Sequence, residues 1–283
     1  MSLAPHLVAP GEGRLPGKLA MLGTGKMGGI LLNAFAQSGL LERSQITATV
    51  AHQERAIEIE SRLGIRCTTE NLQAVHDADL IVLGVKPTQV TEVVRQIAPA
   101  LSPGKLLISI AASVTTAAIE EAAGDGVAVV RAMPNTPSRL GAGMTALVRG
   151  RFAGPDQMQL VERMFKTVGR VVEVDEKHMD AVTGLSGSGP AFLYIVLEAL
   201  AEAGVNVGLP RDIATQLAAQ TAYGAARMVL ETGSHPALLK DEVTTPAGCT
   251  VDGILELEAG GLRVTLIKAV KRATERAREL ALR

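Results

Sequence analysis

The chain has no tryptophan, and aromatic residues make up only 2% of its 283 positions. Its core must therefore be assembled from alanine, valine, leucine and isoleucine, within a composition that is 47% hydrophobic. Cysteine is nearly as scarce. Cys67 and Cys249 stand apart, with no C-x-x-C pair and no neighbouring histidine pair, which argues against a disulfide framework or a metal cluster and for a reduced, cytoplasmic protein. An excess of one charge is also missing, since 28 Lys and Arg meet 29 Asp and Glu for a formal −1. Without a basic block, nucleic acid is not an expected partner. Nor is there a long hydrophobic run. The longest, 191–197, stops at Glu198, short of the ~20 residues of a membrane span, so no membrane is expected. The mean hydropathy of +0.24 reflects alanine and aliphatic content. Residues 1–17 have no basic segment followed by an apolar core and read as a loose N-terminal extension, not a signal peptide.

What the chain does have is Leu19-Ala20-Met21-Leu22-Gly23-Thr24-Gly25-Lys26-Met27-Gly28, an apolar run feeding G-x-G-x-x-G and then a helical pattern. Gly23 permits a tight strand-to-helix turn, Gly25 lets backbone approach a pyrophosphate, and Gly28 lets helix and strand lie close. An anion then sits on free N–H groups at the helix N-terminus. Short aliphatic and β-branched runs at 19–22, 46–50, 80–85, 106–110 and 127–131 alternate with helical patterns, and further strands are expected at 144–148 and 171–174. This predicts an α/β fold, a parallel Rossmann-like sheet wrapped by helices over 18–174. From about 175 the pattern is helical, at 190–203, 211–231, 252–258 and 261–282. In the last of these, Leu266, Val270, Ala273, Ala277 and Leu280 form an apolar stripe. A unit of long alanine-rich helices cannot bury every such stripe alone, so 175–283 is expected to be an all-helical dimerisation domain of a homodimer.

Dinucleotide folds that prefer NAD place Asp or Glu at the end of the second strand, to bond the ribose 2′-hydroxyl. Here the strand runs out in Thr49-Val50-Ala51-His52, with no carboxylate before Glu54 and with Arg55 next. That favours NADP, with NADPH preferred and NADH possible. His52 and Arg55 are candidate contacts, each equally readable as a solvated turn or helix residue.

Further segments carry chemistry. Gly84-Val85-Lys86-Pro87 and Arg131-Ala132-Met133-Pro134-Asn135-Thr136-Pro137 each follow a strand, at the edge where such sheets bind ligands. Gly187-Ser188-Gly189-Pro190-Ala191 and Gly208-Leu209-Pro210-Arg211 open helices, and Lys240-Asp241-Glu242-Val243-Thr244-Thr245-Pro246-Ala247-Gly248-Cys249-Thr250 lies in the helical half. In order and spacing, from about residue 18 to the end, these blocks closely resemble the Δ1-pyrroline-5-carboxylate reductase family.

The resemblance implies the last step of proline biosynthesis, in which NAD(P)H reduces the C=N bond of pyrroline-5-carboxylate to L-proline. It also implies dimers, often five of them in a decameric ring. It carries substrate contact to Thr245 and Thr250, with Thr250 donating to or relaying a proton toward the imine nitrogen. It places the backbone of Thr24, Lys26, Met27 and Gly28 at the pyrophosphate, Asn71 near the adenosine ribose, and Val85 and Lys86, before the stiffening Pro87, beside the nicotinamide. The N–H groups of Gly248, Cys249 and Thr250, unpaired at a helix start, suit a substrate carboxylate. Thr250 is also readable as a plain helix N-cap, Asn135 as the brace of its own loop, and Cys249 as a small packing residue. The family more commonly reads Ser-x-Pro-Gly-Gly where this chain has Thr244-Thr245-Pro246-Ala247-Gly248. Rival readings are a reductase of another imine or a β-hydroxyacid, and a non-catalytic NADP-binding sensor; the β-hydroxyacid enzymes rely on a catalytic lysine, whereas Lys240 lies within the reductase block.

Overall fold

The computed structural model describes residues 14–15, 17–246 and 248–281. The chain divides into two compact units, one closing at Gly187 and taking back the chain from Ala273, the other being Ser188–Arg272. The first unit thus reaches past the expected border at 174.

In the first unit the strands are β1 (Leu19–Leu22), β2 (Ile46–Thr49), β3 (Arg66–Thr68), β4 (Leu80–Leu83), β5 (Leu106–Ser109), β6 (Ala128–Met133), β7 (Gly143–Arg149) and β8 (Gly169–Glu173). Its helices are α1 (Lys26–Gln37), α2 (Gln53–Leu63), α3 (Asn71–His76), α4 (Val90–Ile97), α5 (Thr116–Ala123), α6 (Pro155–Lys166) and α7 (Met179–Val182). The sheet order is β3-β2-β1-β4-β5-β6-β7-β8. The first six strands are parallel, as expected for the five that the sequence shows. β7 then runs antiparallel to β6, with β8 parallel to β7, a reversal that alternation of runs could not reveal. β3 was not anticipated either, because three residues are too few to display a period.

Every residue of β1 and β4 is buried, the pattern of strands covered on both faces. Leu19, Met21, Ile46 and Val82 pack to one side with Leu31, Phe35 and Phe165, while Ala20, Leu22, Ile81 and Leu83 pack to the other with Val90, Val94 and Ile119. Two of the few aromatic rings, Phe35 of α1 and Phe165 of α6, meet edge to face at 5.8 Å. Leu15 is buried and its N–H donates to the Leu40 carbonyl at 2.8 Å, so this residue of the expected loose extension is packed; residues 1–13 and 16 lie outside the described residues. Cys67 is buried, and that burial pushes its thiol pKa up, which leaves it inert.

A buried charge fixes the segment that leaves the sheet. The Arg131 side chain in β6 is 3% exposed and pairs with Glu176. The other Glu176 oxygen accepts from the Thr116 backbone N–H at 3.0 Å and the Thr116 hydroxyl at 2.8 Å, at the start of α5. A π-turn, Thr183–Gly187, follows α7. Ser113, after β5, has φ +63 without being glycine, and its hydroxyl donates to the Ala277 carbonyl at 3.0 Å.

The second unit holds α8 (Gly189–Asn206), α9 (Arg211–Thr232), α10 (Pro236–Glu242), α11 (Cys249–Ala259) and most of α12 (Leu262–Ala281). α8 and α9 meet across small residues. Ala201 and Ala214 are buried, and a Cβ on Gly204 would lie 2.9 Å from that of Ala214. Almost everything else apolar faces outward, including Leu193, Tyr194 and Ile195 at 62%, 61% and 66% exposure. The α12 stripe is only partly used: Ala277 is buried, while Leu266 and Leu280 are exposed. By length and composition the stretch Glu176–Asn206 could cross a membrane, with a mean hydropathy of 1.3, although it holds no uninterrupted apolar run of that length. Glu198 within it remains a charge no bilayer core accepts cheaply.

Glu176→Ala strands the buried Arg131 guanidinium. Removing one partner of a buried pair costs about 3–5 kcal/mol. With Glu176 itself 31% exposed, a loss of about 2–3 kcal/mol is expected, read as a lower denaturant midpoint at fixed protein concentration.

Candidate functional site

The first unit brings the glycine motif together with the Gly84-Val85-Lys86-Pro87 turn because β1 and β4 are neighbours whose connections leave in opposite directions, the switch point at which such sheets bind ligands. The two strand ends touch through backbone. Gly84 N–H donates to Leu22 carbonyl oxygen at 2.7 Å. A Cβ on Gly84 would lie 2.5 Å from the Gly23 carbonyl oxygen, and one on Gly28 would collide with that same oxygen. Gly23 itself adopts φ +86, the left-handed region that glycine enters freely.

Gly25 caps α1 with no side-chain hydrogen bond, so the first N–H groups, those of Lys26, Met27 and Gly28, are left to point outward. A Cβ on Gly25 would meet nothing within 4 Å. That open side, against an uncapped helix N-terminus of favourable dipole, fits the pyrophosphate of a dinucleotide. Thr24 flanks this turn, half-buried.

Around the rim, β2 stops at Thr49 rather than running on to His52, which is the exposed N-cap of α2. Arg55, one turn into α2, is exposed and paired with Glu58. Asn71, first residue of α3, accepts the Thr49 hydroxyl at 2.7 Å through Oδ1 and donates from Nδ2 to Gln96 Oε1 at 3.1 Å. Thr49 and Gln96 escaped the sequence reading, because a lone threonine at a strand end and a glutamine inside a helix carry no motif. Val85 is half-buried and Lys86 exposed, with Pro87 opening a short 3-10 turn. Asn135 braces more than its own loop. Its Oδ1 accepts from Met144 N–H at 2.9 Å in β7, and its Nδ2 reaches the Ser186 carbonyl at 3.2 Å in the π-turn.

The second unit holds the segment after α10. Thr244 hydroxyl donates to the Lys240 carbonyl at 2.7 Å, and Gly248 N–H donates to the Thr245 carbonyl at 2.9 Å. Gly248 N–H is thus satisfied, contrary to expectation, because the turn folds back on Thr245. Gly248 is the N-cap of α11 and offers no side chain. Thr250 is therefore the second residue of the helix, not its cap. The N–H groups of Cys249 and Thr250 have no hydrogen-bond partner among the described residues. Their position at an uncapped helix start suits an anion. Thr245 is exposed and Thr250 half-buried; Cys249 is exposed, so it does not pack within its own chain. A Cβ on Gly248 would lie 2.5 Å from Thr245 Oγ1 and 3.0 Å from the Thr245 carbonyl oxygen, so a larger residue there would displace the Thr245 side chain. Ala247 lies outside the described residues.

No group of metal-ligating side chains occurs among the described residues. A cavity of about 300 Å³, lined by Asp79, Leu80, Gly104 and Leu106, opens at the amino ends of β4 and β5, the opposite edge from the glycine turn.

Residues 18–113 match a family described as NADP oxidoreductase, coenzyme F420-dependent, and residues 176–280 match one described as pyrroline-5-carboxylate reductase dimerisation. A pyrroline-5-carboxylate reductase of Methanosarcina acetivorans is 41% identical, over 93% of this chain and 97% of its own. The structure of a pyrroline-5-carboxylate reductase from Coxiella burnetii superposes with a TM-score of 0.86 at 37% identity, over 93% of this chain and 98% of that one. The Plasmodium falciparum pyrroline carboxylate reductase, solved with NADP bound, gives 0.86 at 30% identity, over 95% of this chain and 100% of that one.

Gly28→Ala drives a methyl into the Gly23 carbonyl. The helix start must move off the turn, and dinucleotide affinity is expected to fall at least about tenfold, or about 1.4 kcal/mol. Titration of nucleotide fluorescence checks it.

Proposed function

The chain belongs to the pyrroline-5-carboxylate reductase family, and from that premise we propose that it reduces the C=N bond of pyrroline-5-carboxylate to give L-proline, with NADPH as the preferred reductant. The observation that carries the reading is the pair of uncapped helix starts, α1 behind Gly25 and α11 behind Gly248, each aiming free N–H groups outward. One suits the pyrophosphate and the other the substrate carboxylate. When bound, the reduced nicotinamide supplies the hydride that adds to the imine carbon.

The protein's own part is orientation. Holding two reactants in place is worth up to about 7–11 kcal/mol of barrier, which leaves little for a strong acid to do. Cys249 and Thr250 N–H groups hold the carboxylate, Thr245 flanks it, and the Thr250 hydroxyl stands by the imine nitrogen, which ends as the amine N–H. Val85 and the Lys86-Pro87 turn border the nicotinamide. At the other end, Asn71, His52 and Arg55 serve the adenosine ribose, Arg55 exchanging Glu58 for the 2′-phosphate. The absence of a carboxylate at the end of β2 supports NADPH over NADH.

The outward apolar side chains of α8 and α9 support a homodimer, and a ring of five dimers is its further assembly. The scarcity of cysteine supports a cytoplasmic setting. We read the chain in the same way as a nucleotide-binding domain followed by a helical dimerisation and substrate domain.

Mixing the protein with NADPH and pyrroline-5-carboxylate is expected to consume the reduced nicotinamide and yield proline in equal amount; nucleotide binding without turnover would reject this substrate. Thr250→Val is expected to lower turnover about 10–100-fold, at or below the usual range for a proton-handling group, with NADPH affinity kept. Light scattering is expected to give at least the dimer mass, and a monomer would reject the assembly.

A further inference from the structure

Three loops of the nucleotide rim are tied by one buried hydroxyl. Thr49 is 2% exposed, at the last position of β2. Gly23 N–H, in the turn after β1, is shared between the Thr49 carbonyl at 3.2 Å and the Thr49 hydroxyl at 3.3 Å. The hydroxyl in turn lies 2.7 Å from Asn71 Oδ1, at the start of α3. Asn71 Nδ2 lies 3.1 Å from Gln96 Oε1, on the exposed face of α4.

The direction of this chain follows from proton accounting. A hydroxyl has one proton to give. Facing Gly23, Thr49 can only accept, so its proton must go to Asn71, which must present oxygen. With the amide turned the other way, Thr49 would face two donors, and its buried proton would have no acceptor. Asn71 is therefore held with its NH₂ outward, on Gln96. Gln96 is an exposed side chain and a replaceable partner.

Resting on the cofactor reading above, we propose that Thr49 is a positioning residue for the dinucleotide: it sets the Gly23 turn and locks Asn71 as a hydrogen-bond donor toward an oxygen of the adenosine ribose, displacing Gln96. Neither role touches the reacting atoms. Both act on the part of the molecule that NADPH and NADH share, so removing the hydroxyl weakens both nucleotides alike and leaves the imine chemistry intact.

The test is Thr49→Val, nearly isosteric, beside Thr49→Ser and Asn71→Asp in the full-length protein. Dissociation constants for NADPH and NADH are measured by fluorescence, alongside KM for pyrroline-5-carboxylate, kcat and the melting temperature. Thr49→Val is expected to raise both dissociation constants about tenfold, with kcat at saturating nucleotide and KM for the imine within about twofold; Thr49→Ser restores binding. Asn71→Asp still accepts from Thr49 but turns an acceptor outward, and is expected to lose at least tenfold on both nucleotides. Should Thr49→Val fail to fold, Asn71→Asp decides. Unchanged nucleotide binding in either folded variant overturns the proposal, as does a loss confined to NADPH or shared equally by KM for the imine. Wild-type protein that binds neither nucleotide would overturn the cofactor reading itself, and with it the proposal.

Discussion

The rest of the nucleotide side depends on one close approach, where the Gly23 carbonyl oxygen is crowded by Gly28 on one side and Gly84 on the other. A side chain on either would separate β1 from α1 or from the turn after β4. Because both sit on the same oxygen, the turn before α1 and the Val85-Lys86-Pro87 turn share one rigid point. Gly25 has the opposite character: its missing Cβ faces open space, so it leaves room for a ligand where Gly28 and Gly84 leave room for backbone. Gly28 thus shares its purpose with Gly84, outside the motif, and not with its motif neighbour Gly25.

A different constraint governs the helical unit. Its shared seam of Ala201, Ala214 and Gly204 buries little, and Leu193, Tyr194, Ile195 and Leu217 remain largely exposed. At up to ~1.5–3 kcal/mol for each large side chain taken out of water, a few such residues per chain approach the size of a small domain's margin of stability. The poverty in aromatic residues fits this arrangement, since small and aliphatic side chains let long helices lie close over a wide face.

Much of this was legible because it repeats. The alternation of aliphatic runs and helices predicts that β1, β2, β4, β5 and β6 run parallel, and the glycine spacing marks the crevice, while the order of the strands in the sheet shows only in the structure. The resemblance to a family carried the chemistry that periodicity cannot. What escaped notice has no period and no motif. At the reversal into β7, Asn135 bonds to Met144 and, 51 positions away, to Ser186, a tie that no local pattern displays. The Arg131–Glu176 pair joins residues 45 positions apart, and neither residue looks unusual in its own neighbourhood. Thr250 is open to two readings because Thr is common at helix caps; the turn back from Gly248 to Thr245 places the cap two residues earlier, at Gly248, and leaves Thr250 its hydroxyl.

That shift bears on how the proposed substrate would be recognised. The segment 244–250 contains no cation, and Cys249 is its only titratable side chain. An anion held there meets two backbone N–H groups and a helix dipole, attractions of about 0.3–1 kcal/mol when exposed and more when partly buried, and none of them titrates. An arginine in the same place would bind more tightly and would equally attract any carboxylate. Neutral donors at a fixed spacing favour fit over charge. The pH dependence of carboxylate binding then reflects the ligand rather than these groups of the protein. A reaction that must also protonate an imine nitrogen gains from such an arrangement, because a nearby fixed cation would oppose the charge that develops on that nitrogen.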